Sequence, residues 1–503
     1  MNHLNMFIFF KQRPILSLIF ILASIELFSF FGYLHPLAGA VLFWLIIGAV
    51  LVVSFWRLEY GLLIALIELF IGSKGYLFSF DIGETVISIR IALFLVIMAV
   101  WLLRKIFSKK VSGFRFQVSS FSFWFLFLFA ALAIGLIQAI ILRNNYGNIF
   151  FDFNAFLFFA YLFPLVEILR EKINWERLGK AAIASVSWVA IKTFIIFYVF
   201  AHGMWPYTPM VYKWIRDTGV GEITKMDQGF YRIFFQGQIY ELFALIIFLA
   251  IANSQRLRVK YHWLLGAGLA AAVILSFSRS FWVGGVAGLF ALFFLLIFVL
   301  KAKWRSVSIF AAYLVAVFLA GFILIFALMN IPPRKGKPAS LFSLVSERAT
   351  TQEAAGQSRM ELLKPLWKGI LKHPIIGSGF GATITYNSKD PRILQNNPTG
   401  EFTTFAFEWG YLDLWYKMGI LGPLAYLGLI GSVLLALWRA MKEKTEIILA
   451  GISIKAISLG VFAALIALAA VHFFTPYLNH PLGIGFIILA SLFTAFVRNR
   501  DGN

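Results

Sequence analysis

Uninterrupted apolar runs, each long enough to cross about 30 Å of hydrocarbon as a helix, recur along the whole chain. In lipid a backbone must satisfy its own hydrogen bonds, and these runs are continuous rather than alternating, so they read as helices and not as barrel strands. With 61% hydrophobic and 13% charged residues in 503, and a mean hydropathy of +0.85, too few polar side chains remain to coat a soluble globule. The expected architecture is all-α: one polytopic membrane bundle spanning 1–503, with about fourteen transmembrane helices by the length criterion.

The spans are expected to begin near Pro14, Leu37, Gly61, Thr85, Ser120, Ile149, Ala181, Arg232, His262, Phe281, Ser306, Phe405, Glu446 and Leu478, the one at Gly61 being short. Basic turns at Lys11 and Arg13, Arg104 to Arg115, Arg170 to Lys180, Arg256 to Lys260, Lys301 to Arg305, Arg439 to Lys444, and Arg498 with Arg500 then fall on one side. By the positive-inside rule that side is the cytoplasm, with both termini there and the protein in a bacterial cytoplasmic membrane. The net charge of +21 is thereby explained by turns facing an anionic leaflet, and nucleic acid is not an expected partner. The N-terminal run lacks a small-residue cleavage signature and is read as a retained helix.

One long polar segment, 331–404, breaks the pattern and is expected outside, as is 202–231. The first carries ten Lys or Arg against five Asp or Glu, and a basic excess on the outer face calls for an anionic partner. A structureless loop that long is unusual, so part of it should fold. From Arg359 to Lys372 the sequence reads as an amphipathic helix lying at the membrane surface, with Met360, Leu363, Leu366, Trp367, Ile370 and Leu371 as its apolar stripe. Lys364, Lys368 and Lys372 recur at every fourth position on another face; His373-Pro374 ends the helix, and glycines at 377, 379 and 381 let the chain turn back.

The absence of cysteine excludes disulfides and thiolate metal sites, and the seven scattered histidines lack ligand spacing, so neither metal nor cofactor is expected. Glu26, Glu68, Arg90, Lys192, Glu241 and Lys455 fall inside predicted spans, where each needs a partner or a wet cavity. Trp205, Trp214, Trp409 and Trp415 lie near the external side, suited to sugar stacking or to an interfacial belt.

An arginine followed by an amphipathic helix, then His373-Pro374-Ile375-Ile376-Gly377-Ser378-Gly379-Phe380-Gly381, then Gly419-Ile420-Leu421-Gly422 on a membrane helix, resembles the O-antigen ligase and polymerase family of bacterial envelope glycan enzymes. Arg279 within Ser278-Arg279-Ser280, and Arg232 at the outer start of a span, resemble two further family arginines; the similarity covers roughly 228 to 430. The resemblance implies metal-free glycosyl transfer on the outer face, from an undecaprenyl-diphosphate-linked glycan to an acceptor hydroxyl on a glycan or lipid-linked acceptor. Its histidine position, counted back from Gly419, is held here by Glu408, beside Trp409, which favours polymerisation over ligation.

Leaving-group charge on a diphosphate suits guanidinium donors, so Arg359 and Arg279 are the catalytic candidates together with Glu408 as general base. Arg232, Lys364, Lys368, Asp413 and Gln236 are the substrate-binding candidates, Asp413 doubling as a second choice of base. Plainer roles exist for each: Arg279 as a snorkelling turn residue, Arg232 as a span anchor, Arg359 paired with Glu361 or Glu353, Glu408 paired with Lys417 or an arginine, and the lysines as a solvated face. Two other functional classes fit a polytopic chain, a lipid-linked oligosaccharide flippase and a non-catalytic glycan-assembly protein. The concentration of signal in one external segment, without two related halves, favours the enzyme.

Overall fold

The computed structural model describes residues 13–83, 85–107, 120–204, 206–226, 229–255, 262–331, 354–443 and 447–501. Eleven helices among them are long and apolar enough to cross a membrane, from Pro14–Leu34 to Pro481–Asn499. Three more occupy predicted positions without meeting that standard: Leu58–Ile71 and His262–Leu275, with 14 residues each, and Ile89–Phe107, which carries Arg90, Arg104 and Lys105. The polytopic helical class therefore holds, with eleven full-length helices among the described residues.

Small residues set how closely these helices pack, as expected where lipid supplies no hydrophobic drive between them. Gly284 and Gly288 on the Arg279–Phe294 helix face the carbonyls of Ala467 and Ala463 on Ile454–Phe474, and Gly460 lies against the backbone of Ile247. A larger side chain at any of the three would meet main chain. The ionisable groups within the bundle are mostly partnered. Arg90 donates to both oxygens of Glu68 (2.8 and 3.0 Å) and to the carbonyl of Ser73 (2.7 Å), and Lys192 donates to Glu26 (2.7 Å). Glu241 is fully buried with no hydrogen-bond partner for either oxygen among the described residues. Lys455 lies in the first turn of its helix, at a span end rather than within it.

Several expected span starts move, each for a local reason. Arg232 does not open a span: it lies on the strand Tyr231–Phe235, paired antiparallel with Gly221–Lys225, and the helix follows only at Ile239. The run beginning at Thr85 first completes a hairpin with Ser79–Ile82, and that expected from Glu446 follows the hairpin Ile448–Leu449/Ile452–Ser453, because β-branched residues beside turn-forming glycines favour strands there. The span expected from Phe405 is a short helix, Gly410–Met418, broken by Gly419 at φ +64° before Leu421–Lys442.

The polar segment expected outside folds, within 354–404, into a small layer on the bundle. Its helix, Ala354–Lys372, packs against the hairpin Ile384–Asn387/Glu401–Thr404 and the short helix Gly410–Met418, and Leu362, Leu366, Ile370, Ala382, Ile384, Phe407 and Tyr416 form its own apolar core. The predicted apolar stripe thus divides in two. Leu366 and Ile370 join Leu362 inward, whereas Met360, Trp367 and Leu371 stay exposed together with Ile375 and Ile376. Expectations resting on Arg334, Lys335, Lys337, Glu347, Arg348, Glu353 and Trp205 lie outside the described residues.

The glycine run after His373 is a bolt between this layer and the bundle. Gly377, Gly379 and Gly381 all have φ between +72° and +79°, and a Cβ on them would strike the backbone of Lys417, Ala139 and Ile149 respectively. Ser378 N donates to Tyr416 O (2.7 Å) and Gly379 N to Lys417 O (3.0 Å), while Asn144 Nδ2 donates to the carbonyls of Ser378 (3.0 Å) and Phe380 (2.9 Å). Phe380 is fully buried between Phe153 and Phe156.

Candidate functional site

Three segments far apart in sequence bring Arg232, Arg279 and Arg359 into one electrostatic neighbourhood. Arg232 stands on its hairpin with Glu222 as the diagonal neighbour on the same face, Nη1 lying 3.7 Å from Glu222 Oε2, and its guanidinium covers the Phe234 ring at 4.8 Å. Its Nε donates to the carbonyl of Ser276 (2.8 Å). That carbonyl belongs to the tight turn 276–278 in which Phe277 holds φ +43°, costly for a bulky residue and kept in place by full burial against Phe230 and Trp282. Arg279 leaves this turn as the first residue of the next helix, so one strained turn both ties down Arg232 and presents Arg279.

Arg359 enters from the external helix and pairs with Glu408, the residue at the resemblance's histidine position. The plainer role for Glu408 is therefore met by Arg359 and not by Lys417, while Glu361 instead accepts from Lys389 N (3.0 Å). Burial lowers the pKa of Arg359 from its ordinary value, and the charges of Arg279 and Arg232 lower it further. Burial likewise lowers that of Arg232, with Glu222 opposing and Arg279 adding to the effect. Mutual repulsion at this level means that an anion arriving among the three would relieve strain already present.

Two predicted ligands do not join them. At about 100° per residue, Lys364 and Lys368 stand about 140° and 180° around the helix from Arg359, on the exposed side, so they cannot share its ligand. They behave as the solvated face. Asp413 is also withdrawn: it is buried, lies 2.6 Å from Lys417 Nζ and accepts from Asn479 Nδ2. Lys417 in turn binds Asp152 (2.5 Å), whose other oxygen accepts from Gly381 N (2.8 Å). Two carboxylates thus share one ammonium beneath the external layer. Burial raises the pKa of Asp413 to about 7, with Lys417 opposing and Asp152 adding. Gln236 sits just after Arg232's strand; its carbonyl accepts from Tyr477 Oη (3.1 Å) while its buried Oε1 accepts nothing among the described residues.

Sequence reasoning missed the connector 475–480, between the last two spans. Thr475 Oγ1 donates to Ser280 Oγ (3.1 Å) beside Arg279, Tyr477 reaches Gln236, and Asn479 reaches Asp413. Its available signal was the polar run Thr475-Pro476-Tyr477-Leu478-Asn479-His480 between two apolar helices. The tryptophans brace rather than stand free: Trp409 Nε1 donates to Arg359 O (2.9 Å), Trp415 Nε1 to Pro374 O (2.9 Å) and Trp214 Nε1 to Ser29 Oγ (3.2 Å).

The Arg359–Glu408 pair lines a cleft of about 470 Å³ between the helix Ala354–Lys372, the hairpin Ile384–Asn387/Glu401–Thr404 and the short helix Pro391–Asn396. Among the described residues no group of three or more His, Asp or Glu side chains is placed to hold a metal ion.

Residues 264–427 match the protein family described as O-antigen ligase. The matched stretch includes Arg279, Arg359, Glu408 and the cleft, but neither Arg232 nor the connector 475–480. No curated protein and no solved structure matches the chain. The similarity to the O-antigen ligase family thus extends over about a third of the chain.

Proposed function

With the O-antigen ligase and polymerase family as premise, we propose that the chain is a glycosyltransferase of the bacterial cytoplasmic membrane. It joins undecaprenyl-diphosphate-linked glycan to an acceptor hydroxyl on the outer face, and polymerisation is preferred over ligation because Glu408 stands at the histidine position. The observation that carries the reading is the convergence of Arg232, Arg279 and Arg359, whose charges already act on one another.

The chemistry follows from that convergence. Guanidinium donors bind phosphate oxygens in pairs and stay charged, so the three arginines hold the donor diphosphate and stabilise the negative charge it gains on leaving. Once the diphosphate occupies Arg359, Glu408 loses its partner and becomes available as a base. The acceptor oxygen then forms a bond to the anomeric carbon as the carbon–oxygen bond to the diphosphate breaks. The bonding pair leaves with undecaprenyl diphosphate, and the hydroxyl proton passes to Glu408. No metal or nucleotide sugar takes part.

The test is glycan transfer by purified protein supplied with lipid-diphosphate glycan. Arg279→Ala and Arg359→Ala should each lose on the order of 10²–10³-fold in turnover at normal protein levels, and Glu408→Gln a comparable factor. Full activity in both arginine variants would refute the diphosphate site, and unimpaired Glu408→Gln would remove the base.

A further inference from the structure

The cleft beyond Arg359 and Glu408 is built unlike a phosphate site. Both arginines in its wall are engaged by carboxylates, Arg359 by Glu408 and Arg392 by Asp390, which accepts from Arg392 Nε (3.0 Å) and Nη2 (2.6 Å). Glu401, exposed at the rim, makes no ion pair among the described residues. Away from Arg359, which the donor diphosphate claims, an anionic ligand would find only Arg392, already held by Asp390, and in Glu401 one carboxylate without an ion pair among the described residues.

What the cleft offers instead is an aromatic pair and neutral hydrogen-bonding groups. Tyr386 and Phe402 are cross-strand partners on one face of the external hairpin, with ring centroids 6.0 Å apart at 86°, and Phe402 is 39% exposed. The Tyr386 hydroxyl is fixed by Ser358 (2.9 Å), which holds the ring in place, and Asn396 in the lining donates through its amide nitrogen to Arg392 O (3.3 Å) while its amide oxygen accepts nothing among the described residues. Apolar ring faces beside amides and hydroxyls match a sugar ring, whose C–H face is apolar and whose edge is rich in hydroxyls. A volume of about 470 Å³ falls in the range of cavities that enclose organic ligands rather than single ions or waters.

We propose that this cleft is the acceptor-saccharide subsite and that it takes uncharged sugar rings in preference to acidic ones. The proposal rests on the glycosyltransferase reading, because a cleft with Glu408 in its wall would present the acceptor hydroxyl to the base. It also makes a binding claim that does not need turnover.

Saturation-transfer NMR on the full-length protein in detergent tests it, with a panel of neutral trisaccharides built from glucose or N-acetylglucosamine, and with trigalacturonate as the acidic control. Saturation should reach ring C–H protons of at least one neutral probe and not those of trigalacturonate. Phe402→Ala should remove at least three-quarters of that signal, Arg279→Ala should leave it, and Glu401→Lys should admit trigalacturonate. No signal from any neutral probe, an equal signal from trigalacturonate in the unaltered protein, or an undiminished signal in Phe402→Ala would each overturn the proposal. Neutral binding with these mutational effects but no glycan transfer from the lipid-linked donor would support the cleft and defeat the glycosyltransferase reading. Transfer without such binding would do the reverse.

Discussion

Replacing Lys417 with Met tests whether the layer built on the helix Ala354–Lys372 is held down by the buried charge cluster beneath it. Lys417 and Asp413 side chains are 4% exposed and Asp152 10%, with the ammonium 2.5 and 2.6 Å from the two carboxylates. Removing one partner of a buried pair costs about 3–5 kcal/mol because the remaining charge is left uncompensated, and here two carboxylates are left facing each other. At about 2 °C per kcal/mol, the large-domain end of the usual scale, the melting temperature should fall by roughly 6–10 °C. Tryptophan fluorescence during heating in detergent reads this directly. Combining Lys417→Met with Asp152→Asn and Asp413→Asn removes all three charges and should regain most of the loss, since a neutral cluster of similar volume has little desolvation to offset. A fall below about 2 °C in the single variant, or a triple variant as unstable as the single one, would show that the cluster does not clamp the layer.

Gly379→Ala should lower the melting temperature by several degrees, because its φ of +79° and the adjacent Ala139 backbone leave no room for a methyl group; a neutral result would refute the bolt. Asp413 gives a pH test. Its folded pKa, about 7, lies above the unfolded value, so the protonated form favours folding and that contribution is lost as pH rises from about 4 to about 7. Stability measured across this interval should decline with pH, and Asp413→Asn should flatten the decline; an unchanged slope would count against the assignment. Lys364→Glu with Lys368→Glu should leave the KM for lipid-diphosphate donor within about threefold, whereas Arg359→Ala should not, because the lysines stand on the far side of the helix.

Much of the architecture was legible because its cause is local. Apolar run length gave most helix positions, four-residue periodicity gave Lys364, Lys368 and Lys372 a common face, and His373-Pro374 marked a helix end that falls at Lys372. What misled was length without register. The residues from Phe405 onward are apolar enough for a span, yet Gly419 splits them, and Arg232 looked like a span anchor because a five-residue strand leaves little trace beside a long apolar helix. The three arginines were named from residue type and resemblance, but the turn at Phe277 that couples two of them depends on tertiary packing and has no sequence period. Asp413 was misplaced for a similar reason: besides Lys417, four residues on, it accepts from Asn479, 66 positions after it, and shares Lys417 with Asp152, 261 before it, an arrangement only the folded chain reveals.

Since Thr475, Tyr477 and Asn479 belong to the connector between the helices Ile454–Phe474 and Pro481–Asp501, the centre lacks these struts until that connector has been made. A chain still emerging from the ribosome, or one cut short before Ile454, carries every arginine of the trio but not the scaffold that steadies them. The arrangement of the three arginines is thereby deferred until that connector has been inserted.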